Sequence, residues 1–272
     1  MQRNTLPQTE ELKFPEVISQ PVMWGYADDP RQAKRYKALV DSRTGKLFAI
    51  VSKDYRLIRH EEAIDRIEAA IHERDDLGHC EVHTEFYNQG GRMRTTYRFT
   101  EVAVEVQSGD VINPELHLYN SYDLSWPLIV HLGAFRVVCA NGLVVGEEFF
   151  HLRKRHIVAL DQMHLQEEVA TGLQRFYLQT KQWKRWAERQ MTEDAYNEVI
   201  KAMNFGKKAT GEIEDRVHKE AEGFDGNAFP IMSLWVFFNI VTWYITHKAA
   251  SLNHRVEMEK RLRAAMRYLR KT

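Results

Sequence analysis

Basic side chains stand beside aromatic ones in three segments, a pairing that suits single-stranded nucleic acid. Residues 92–99 read RMRTTYRF, residues 149–156 read FFHLRKRH, and residues 182–189 read QWKRWAER. Cations follow the phosphates of a strand while flat rings stack on its bases, at about 1–3 kcal/mol per base. The alternative is that these are solvated faces and core aromatics, as charge runs usually are. The predicted contacts, with one further arginine from a strand, are Arg92, Arg94, Arg98, Arg136, Arg153, Lys154, Arg155, Lys184 and Arg185.

Arg136 is that further arginine, and it has two alternative roles. The Asn141–Gly142 pair favours a two-residue type I′ turn, because both central positions need positive φ. This turn places Arg136 opposite Glu147, so a cross-strand ion pair is one role. The other role is that Arg136 points from the sheet toward a phosphate or another ligand.

Four polar residues form a seam on an otherwise apolar helix near the C-terminus. The seam consists of Asn239, Thr242, Thr246 and His247. Their spacing of i, i+3, i+7 and i+8 places them on one helix face, and polar groups in such surroundings must find hydrogen-bond partners. We therefore expect the seam to clamp the helix to the sheet through backbone groups, or to pair helices between subunits. The alternative is a ligand-binding seam in which His247 titrates.

The histidines and cysteines do not show the spacing of a metal site. On a strand His79 and His83 share a face, whereas Cys80 points the other way. No second Cys/His pair follows nearby, and Cys139 reads as a small core hydrophobe. There is also no nucleophile elbow, phosphate-binding loop or dinucleotide fingerprint. The sequence therefore predicts no metal, no cofactor and no enzyme activity.

Charge and composition limit the function classes. Lys+Arg and Asp+Glu both number 38, which argues against coating nucleic acid by overall charge but leaves room for a local basic face. Two cysteines form no disulfide framework, which suits a reducing compartment. The polar N-terminus lacks the apolar core of a secretory signal. We therefore expect a cytoplasmic protein that does not enter a membrane.

Turn-forming clusters separate β-rich runs and predict the elements that carry these residues. DSRTG at 41–45 and NQGG at 88–91 each stand between two such runs and predict hairpins. An isoleucine stripe between them predicts an amphipathic helix from about 61 to 73. Beyond Ala159 the pattern changes to long helices. The predicted class is α+β: an antiparallel sheet of hairpins with one early helix, followed by a C-terminal helical region.

Three regions follow from this pattern. Four prolines predict an irregular N-terminal arm over residues 1–30. An antiparallel α+β sheet domain is expected over 31–158, and a helical region packed on it over 159–272. In the helical region Thr192 is expected to cap a helix. The apolar run at 231–245 is short of the roughly 20 residues that span a bilayer, so it predicts a buried helix.

Three motifs in a fixed order resemble one family. They are Asn120-Ser121-Tyr122-Asp123, FRVVCANGL at 135–143 and LWVFFNIVTWYITH at 234–247. Together they resemble the phage/plasmid-like protein family (domain of unknown function 932), over most of the chain from Tyr36 onward. The family often has Asp-Gly-Ser where this chain has Asp123-Leu124-Ser125, which puts a tight turn there in doubt.

The resemblance implies a setting rather than an activity. Members of that family are common in prophages, phages and plasmids, which implies work on DNA or in phage–host conflict. The order of a hairpin, a helix, further antiparallel strands and a long helix also resembles the core of single-strand annealing proteins. Those proteins grip one DNA strand between a β-hairpin and basic side chains in a ring of subunits.

Two functions remain as expectations from the sequence. The first is a mobile-element protein that binds single-stranded DNA, with strand annealing or recombination as its task and a homo-oligomer as its assembly. The alternative is a protein-interaction module, such as an anti-defence or regulatory factor, without DNA binding. The two differ in whether the chain shows salt-dependent affinity for a single strand.

Overall fold

The computed structural model of the chain describes residues 14–72, 74–136, 150–154, 165–221, 229–248 and 252–268. The strands are β1 (Val17–Tyr26), β2 (Asp29–Asp41), β3 (Leu47–Ser52), β4 (Cys80–Tyr87), β5 (Arg92–Phe99), β6 (Val104–Gln107), β7 (Asp110–Ser121), β8 (Leu128–Arg136) and β9 (Phe150–Lys154). The helices are α1 (His60–His72), α2 (Leu165–Glu188), α3 (Glu193–Met203), α4 (Lys207–Glu220), α5 (Leu234–Lys248) and α6 (Leu252–Tyr268). The predicted α+β class, with one early helix and a C-terminal helical region, is confirmed.

The chain divides into two compact units. The first contains Met1–Val102, Glu115–Leu132 and Phe149–Gly172, and the second contains the intervening segments and Leu173–Thr272. The expected division into a sheet domain over 31–158 and a helical region packed on it over 159–272 stays a prediction.

A three-stranded sheet in the order β1-β2-β3 begins the first unit. The expected irregular arm over residues 1–30 is therefore wrong for 17–26 and from Asp29 onward, where two strands pair in antiparallel register. The prolines fit because proline is tolerated on edge strands and at bulges. Pro21 lies on the edge strand β1 at a shift of register. Pro30 lies outside the part of β2 that pairs with β3.

The larger sheet has the order β4-β5-β7-β8-β9, with β6 paired to β7. The predicted turn at 88–91 joins β4 to β5, and Asn88, Gln89 and Gly90 all have positive φ. Along β5 the residues alternate between half-buried and fully buried. The prediction that Arg92, Arg94 and Arg98 share one face is confirmed by this pattern.

Three buried side chains clamp the start of α1 to the larger sheet. The Tyr122 ring stacks on the His60 imidazole, with 4.0 Å between the ring centroids. The backbone N–H of His60 donates to Tyr122 Oη at 2.7 Å, and Asn120 Nδ2 lies 3.0 Å from both the Ile58 carbonyl oxygen and His60 Nδ1. His60 Nε2 lies 3.0 Å from the carbonyl oxygen of Gly90. Because a carbonyl only accepts, Nε2 carries the proton and Nδ1 accepts from Asn120.

The rest of the Asn120–Asp123 motif holds a turn. Ser121 Oγ donates to the carbonyl oxygen of Trp126 and accepts from its N–H. Asp123 Oδ1 accepts from the N–H of Ser125 at 3.0 Å. Leu124, between them, has φ +63°, a left-handed conformation. The tight turn at Asp123–Ser125 is therefore formed. Leu124 adopts a left-handed backbone conformation that glycine would adopt without strain.

The second unit is built around α5. Trp235, on this helix, is fully buried, and its Nε1 donates to Asp110 Oδ2 at 2.7 Å. α5 is apolar on nearly every side, as a buried helix must be, so the prediction for 231–245 is confirmed from Leu234 onward. Thr192 Oγ1 accepts from the N–H of Ala195 and caps α3 as predicted. Within the described part of the chain, no helix is both long and apolar enough to cross a membrane.

Replacing Tyr122 by phenylalanine tests the clamp. The change keeps the stacked ring but removes the acceptor of the buried His60 N–H, which costs about 1–3 kcal/mol. We expect Tyr122→Phe to lower the free energy of unfolding by that amount in urea denaturation. Tyr36→Phe is the control because Tyr36 is exposed, and it should leave the value unchanged. Equal stability of both variants and the wild type would refute the role of the hydroxyl.

Replacing Leu124 by glycine tests the strained turn. A left-handed residue with a side chain costs about 1–2 kcal/mol, whereas glycine loses about 0.4–1 kcal/mol more entropy on folding. Leu124→Gly should therefore raise the free energy of unfolding, by up to about 1.6 kcal/mol. Leu178→Gly, an exposed leucine in α2, should lower it by about 1 kcal/mol. If both variants are less stable than the wild type, the left-handed backbone at Leu124 is not strained and the inference is wrong.

Candidate nucleic-acid interface

A two-stranded ribbon extends beyond the three-stranded sheet. β3 pairs only with Tyr36–Val40 of β2. The rest of β2 pairs with β1 alone, up to the contact of Tyr26 with Asp29 at the turn. We call β1 and β2, residues 17–41, the ribbon. Its outer half has one neighbouring strand on one side and solvent on the other, so its side chains are exposed.

Three aromatic rings on the ribbon face solvent. The exposed fractions are 58% for Trp24, 83% for Tyr26 and 54% for Tyr36. Trp24 lies opposite Arg31, whose guanidinium carbon is 5.6 Å from the centre of the indole ring. Arg31 also donates to Asp29 at 2.7 Å. Rings this exposed are available to stack on a flat ligand.

Cations without carboxylate partners accompany these rings. Among the described residues, no carboxylate lies within ion-pair distance of Lys34, Arg35 or Lys37. Arg35 is exposed and Lys37 is half-buried. A shift of register between Pro21 and Met23 separates them from the pair that Trp24 forms with Arg31. Between residues 22 and 37 four cationic residues stand against two aspartates. The ribbon therefore combines exposed rings with unneutralised positive charge.

The predicted arginines of β5 share a face, but each forms an ion pair. Arg92 Nε donates to Asp123 Oδ2 at 2.6 Å, and its guanidinium carbon lies 5.8 Å from the centre of the Trp126 ring. Burial opposes ionisation of Asp123, but hydrogen bonds from Asn88, Ser125 and Arg92 outweigh it and hold the pKa below its ordinary value. A phosphate on this face would have to displace a bound carboxylate.

The other two β5 arginines are neutralised in the same way. Arg94 Nη1 lies 3.7 Å from Glu85, and Arg98 Nε donates to Glu115 Oε1 at 2.7 Å. Arg98 Nη1 lies 3.5 Å from Glu81. Including Asp123, four carboxylates therefore meet three guanidinium groups. This face offers no excess positive charge to a phosphate chain.

Glu115 is the most buried of these acids. Its side chain is 5% exposed, and His117 Nε2 lies 3.2 Å from Glu115 Oε2. Burial alone would raise the pKa of Glu115, but the hydrogen bonds and charges of His117 and Arg98 outweigh it and lower the pKa. The carboxylate is thus ionised at neutral pH and accepts from both neighbours.

The remaining predicted contacts are only partly described. The side-chain contacts of Arg136, Arg153 and Lys154, and the whole of Arg155, lie outside the described part of the chain. Glu147 also lies outside the described part of the chain, so the two alternative roles of Arg136 stay predictions. Lys184 and Arg185 are exposed on α2 in the second unit.

The two tryptophans beside Lys184 and Arg185 are core residues. Trp183 is fully buried and Trp186 nearly so. The Trp183 ring lies 5.5 Å from Trp235 of α5, and the Trp186 ring lies 5.2 Å from Phe238. The cations of this segment therefore lack the stacking rings that the sequence pairs with them.

The polar seam of α5 bonds mainly within its own helix. Asn239 Nδ2 donates to the Trp235 carbonyl oxygen at 2.8 Å, and Thr242 Oγ1 donates to that of Phe238 at 3.0 Å. His247 is exposed, and its Nδ1 lies 2.9 Å from the Trp243 carbonyl oxygen. Backbone carbonyls one turn earlier thus accept from Asn239 and Thr242, whereas the buried Asn239 Oδ1 has no partner among the described residues. Thr246 is half-buried, and whether the seam binds a ligand stays a prediction.

The histidines and cysteine of the β4 region are not gathered around a cation. Over the described ranges no three His, Cys, Asp or Glu side chains are arranged to hold a metal ion. Cys80 is a buried, free cysteine. Burial, with a contribution from Glu68, raises the pKa of its thiol to about 11, so it is not a thiolate at neutral pH.

Sequence reasoning missed the ribbon. Its signal was present as alternating large side chains, VMWGY, followed by a turn at Asp28 and by QAKRYK. The prolines masked this signal because proline is the usual mark of irregular chain. Pairing across the turn brings Trp24 and Arg31 opposite each other, and spacing alone does not reveal that contact.

Replacing Glu115 by glutamine tests the buried ion pairs. A carboxylate with a lowered pKa stabilises the fold at neutral pH, and this stability is lost as pH falls through the folded-state pKa. The loss should lie below 4.5, the ordinary value for glutamate. We expect Glu115→Gln to be less stable than wild type at pH 7 and to lose less stability on acidification. Urea denaturation at a series of pH values measures both effects.

Glu198→Gln is the matched control, because Glu198 is an exposed acid on α3. It should follow the wild-type dependence on pH. If Glu115→Gln follows that dependence as well, the carboxylate contributes nothing to acid stability and the inferred pairing is wrong.

Comparison with known proteins gives one match. A family model described as "Domain of unknown function (DUF932)" matches residues 47–266. No curated protein and no solved structure matches the chain. The matched region contains the clamp residues His60, Asn120 and Tyr122 and the whole of α5. The ribbon precedes the matched region.

Proposed function

The chain belongs to the family of the domain of unknown function DUF932, and we propose that it binds single-stranded DNA on the ribbon. The observation that carries the proposal is the joint exposure of Trp24, Tyr26 and Tyr36 beside Lys34, Arg35 and Lys37. The family match does not reach this segment, so the proposal concerns this chain rather than the family.

The chemistry of the ribbon suits a single strand. Unpaired bases offer a flat face to Trp24 and Tyr26, and each stacked base contributes about 1–3 kcal/mol. Phosphates between the bases attract Arg35 and Lys37. No described carboxylate lies within ion-pair distance of either side chain to compete with the phosphates. A duplex hides its base faces inside the stack. We therefore expect preference for single strands with little dependence on sequence.

The β5 face supports this assignment by contrast. Its arginines are held by Asp123, Glu85 and Glu115, so binding a phosphate there costs the existing ion pairs. A phosphate that binds Lys34, Arg35 or Lys37 on the ribbon breaks no described ion pair of these side chains. The proposal therefore places the predicted function at residues other than the predicted Arg92, Arg94 and Arg98.

The proposal also includes strand annealing or recombination as the task of the protein, a mobile element as its setting and a homo-oligomer as its assembly. They are supported by the resemblance of the element order to single-strand annealing proteins, in which a β-hairpin helps to hold the strand. The ribbon is a hairpin that carries rings and cations. Annealing also requires that bound bases stay accessible to a second strand, which stacking on one face permits.

The experiment measures fluorescence anisotropy of labelled single-stranded and duplex oligonucleotides at several salt concentrations. We expect binding to the single strand that weakens as salt rises, because counterions are released. Trp24→Ala with Tyr26→Ala should lose tenfold affinity or more, since two stacking rings are removed. Arg35→Ala with Lys37→Ala should reduce the salt slope by up to about 1.4, at about 0.7 per phosphate contact.

Lys207→Ala with Lys208→Ala is the matched control, because it removes two exposed charges from α4. This variant should bind as the wild type does. Absence of single-strand binding at low salt, or ribbon variants that bind like the wild type, would falsify the proposal.

A second candidate function is a protein-interaction module. It is favoured by the outward face of the three-stranded sheet, where Tyr36, Leu47 and Ile50 are each at least half exposed. Contiguous exposed apolar side chains mark interaction surfaces. Under this alternative the chain forms a stable complex with a protein partner and shows no salt-dependent affinity for the oligonucleotide.

A further inference from the structure

A row of polar side chains crosses the larger sheet on the face that carries the β5 arginines. The register places His83 of β4 opposite Thr96 of β5, and Thr96 opposite His117 of β7. The ring of His131, on β8, lies 4.7 Å from the His117 ring between centroids. All of these residues belong to the first unit.

Three members of this region form a continuous hydrogen-bonded chain. Thr96 Oγ1 lies 3.1 Å from His117 Nδ1, and His117 Nε2 lies 3.2 Å from Glu115 Oε2. The side chains of Glu115 and His117 are 5% and 6% exposed, whereas Thr96 is partly exposed. Thr96 is therefore the most exposed residue of the three, and Glu115 and His117 are shielded from water.

The protonation of this chain follows from its partners. Glu115 is ionised and accepts a second hydrogen bond, from Arg98 Nε at 2.7 Å. In neutral His117 the proton therefore lies on Nε2, facing the carboxylate, which leaves Nδ1 as an acceptor for the Thr96 hydroxyl. Hydroxyl, imidazole and carboxylate in this order match a nucleophile, its general base and the group that orients the base.

A donor without an acceptor lies on the same strand face. The Nε atom of Arg94 is buried and has no hydrogen-bond partner among the described residues. Arg94 is two residues before Thr96, so their side chains share a side of β5. Because this atom is shielded from solvent, a shift of the Arg94 side chain would be needed to bring its N–H to the negative oxygen that forms when a carbonyl is attacked.

A pair of rings lies on the same sheet face, where Tyr119 is opposite Arg94 and its ring centre is 5.9 Å from the Arg94 guanidinium carbon. The rings of Tyr119 and His131 are stacked at 5.7 Å between centroids with 15° between their planes, and both residues are half-buried. This pair suits a planar leaving group better than an extended polymer. Activated esters with an aromatic alcohol combine such a group with a reactive carbonyl.

We propose that Thr96 is a nucleophile for acyl transfer from aryl esters, with His117 as general base and Glu115 as the group that positions it. Thr96 Oγ1 forms a bond to the acyl carbon, its proton moves to His117 Nδ1, and the bond from carbon to the phenolate oxygen breaks. His117 returns the proton to the phenolate. Water, deprotonated by the same imidazole, then releases the acid and regenerates the hydroxyl.

This inference is independent of DNA binding, because it involves no residue of the ribbon. It also explains why no catalytic motif is visible in the sequence. Thr96 and His117 come from different strands and meet only through the antiparallel register of β5 and β7.

The experiment treats the full chain with p-nitrophenyl acetate and follows release of nitrophenolate. We expect an initial burst, and peptide mass spectrometry after acid quenching should find acetyl on Thr96. Thr96→Val, which keeps the shape of the side chain, should abolish the burst. His117→Gln should slow acylation by about a hundredfold or more, as loss of a general base does.

Thr171→Val is the control, because Thr171 is an exposed threonine on α2, and it should keep the burst. Circular dichroism of each variant shows whether it is folded. An unmodified Thr96 in the folded wild-type chain overturns the inference even if a variant fails to fold. Hydrolysis that survives Thr96→Val overturns it as well, because it would then be reaction at imidazole or lysine alone.

Discussion

The buried contact between His60 and Tyr122 is the interaction on which the first unit depends. It joins the first turn of α1 to the end of β7, and Asn120 and the Gly90 carbonyl oxygen complete its hydrogen bonds. The His60 ring, the His60 N–H and the Asn120 amide nitrogen then have partners, without which their burial is costly, whereas Asn120 Oδ1 has none among the described residues. The Asn120–Asp123 motif thus serves the architecture, which accounts for its place in the matched family region without assigning it a reaction.

The balance of charge on each surface decides what that surface can bind. On the β5 face carboxylates from β4, from β7 and from the turn after β7 neutralise the arginines, so the face is polar without being basic. On the ribbon the cations keep their charge and stand beside exposed rings. The same residue types therefore stabilise structure in one place and are available to a ligand in the other.

Register between strands brings together a set of side chains that no single strand contains. Thr96, His117 and Glu115 meet because β5 and β7 pair in one alignment, and a shift by one residue would turn Thr96 to the opposite face. The clamp and the turn at Asp123 lie at the end of β7 and support that alignment. The stability of the motif and the alignment of Thr96 with His117 are thus linked through one strand.

Local patterns in the sequence determined the hairpin at 88–91, the early helix, the buried helix α5 and the cap at Thr192, because each depends on neighbours within a few residues. Only the tertiary structure decided that Arg92 and Arg98 are paired, since their acids lie 31 and 17 residues away. It also decided that Trp183 is core and that Trp24 is exposed. Burial and ion pairing depend on contacts between distant segments, which composition and spacing do not encode.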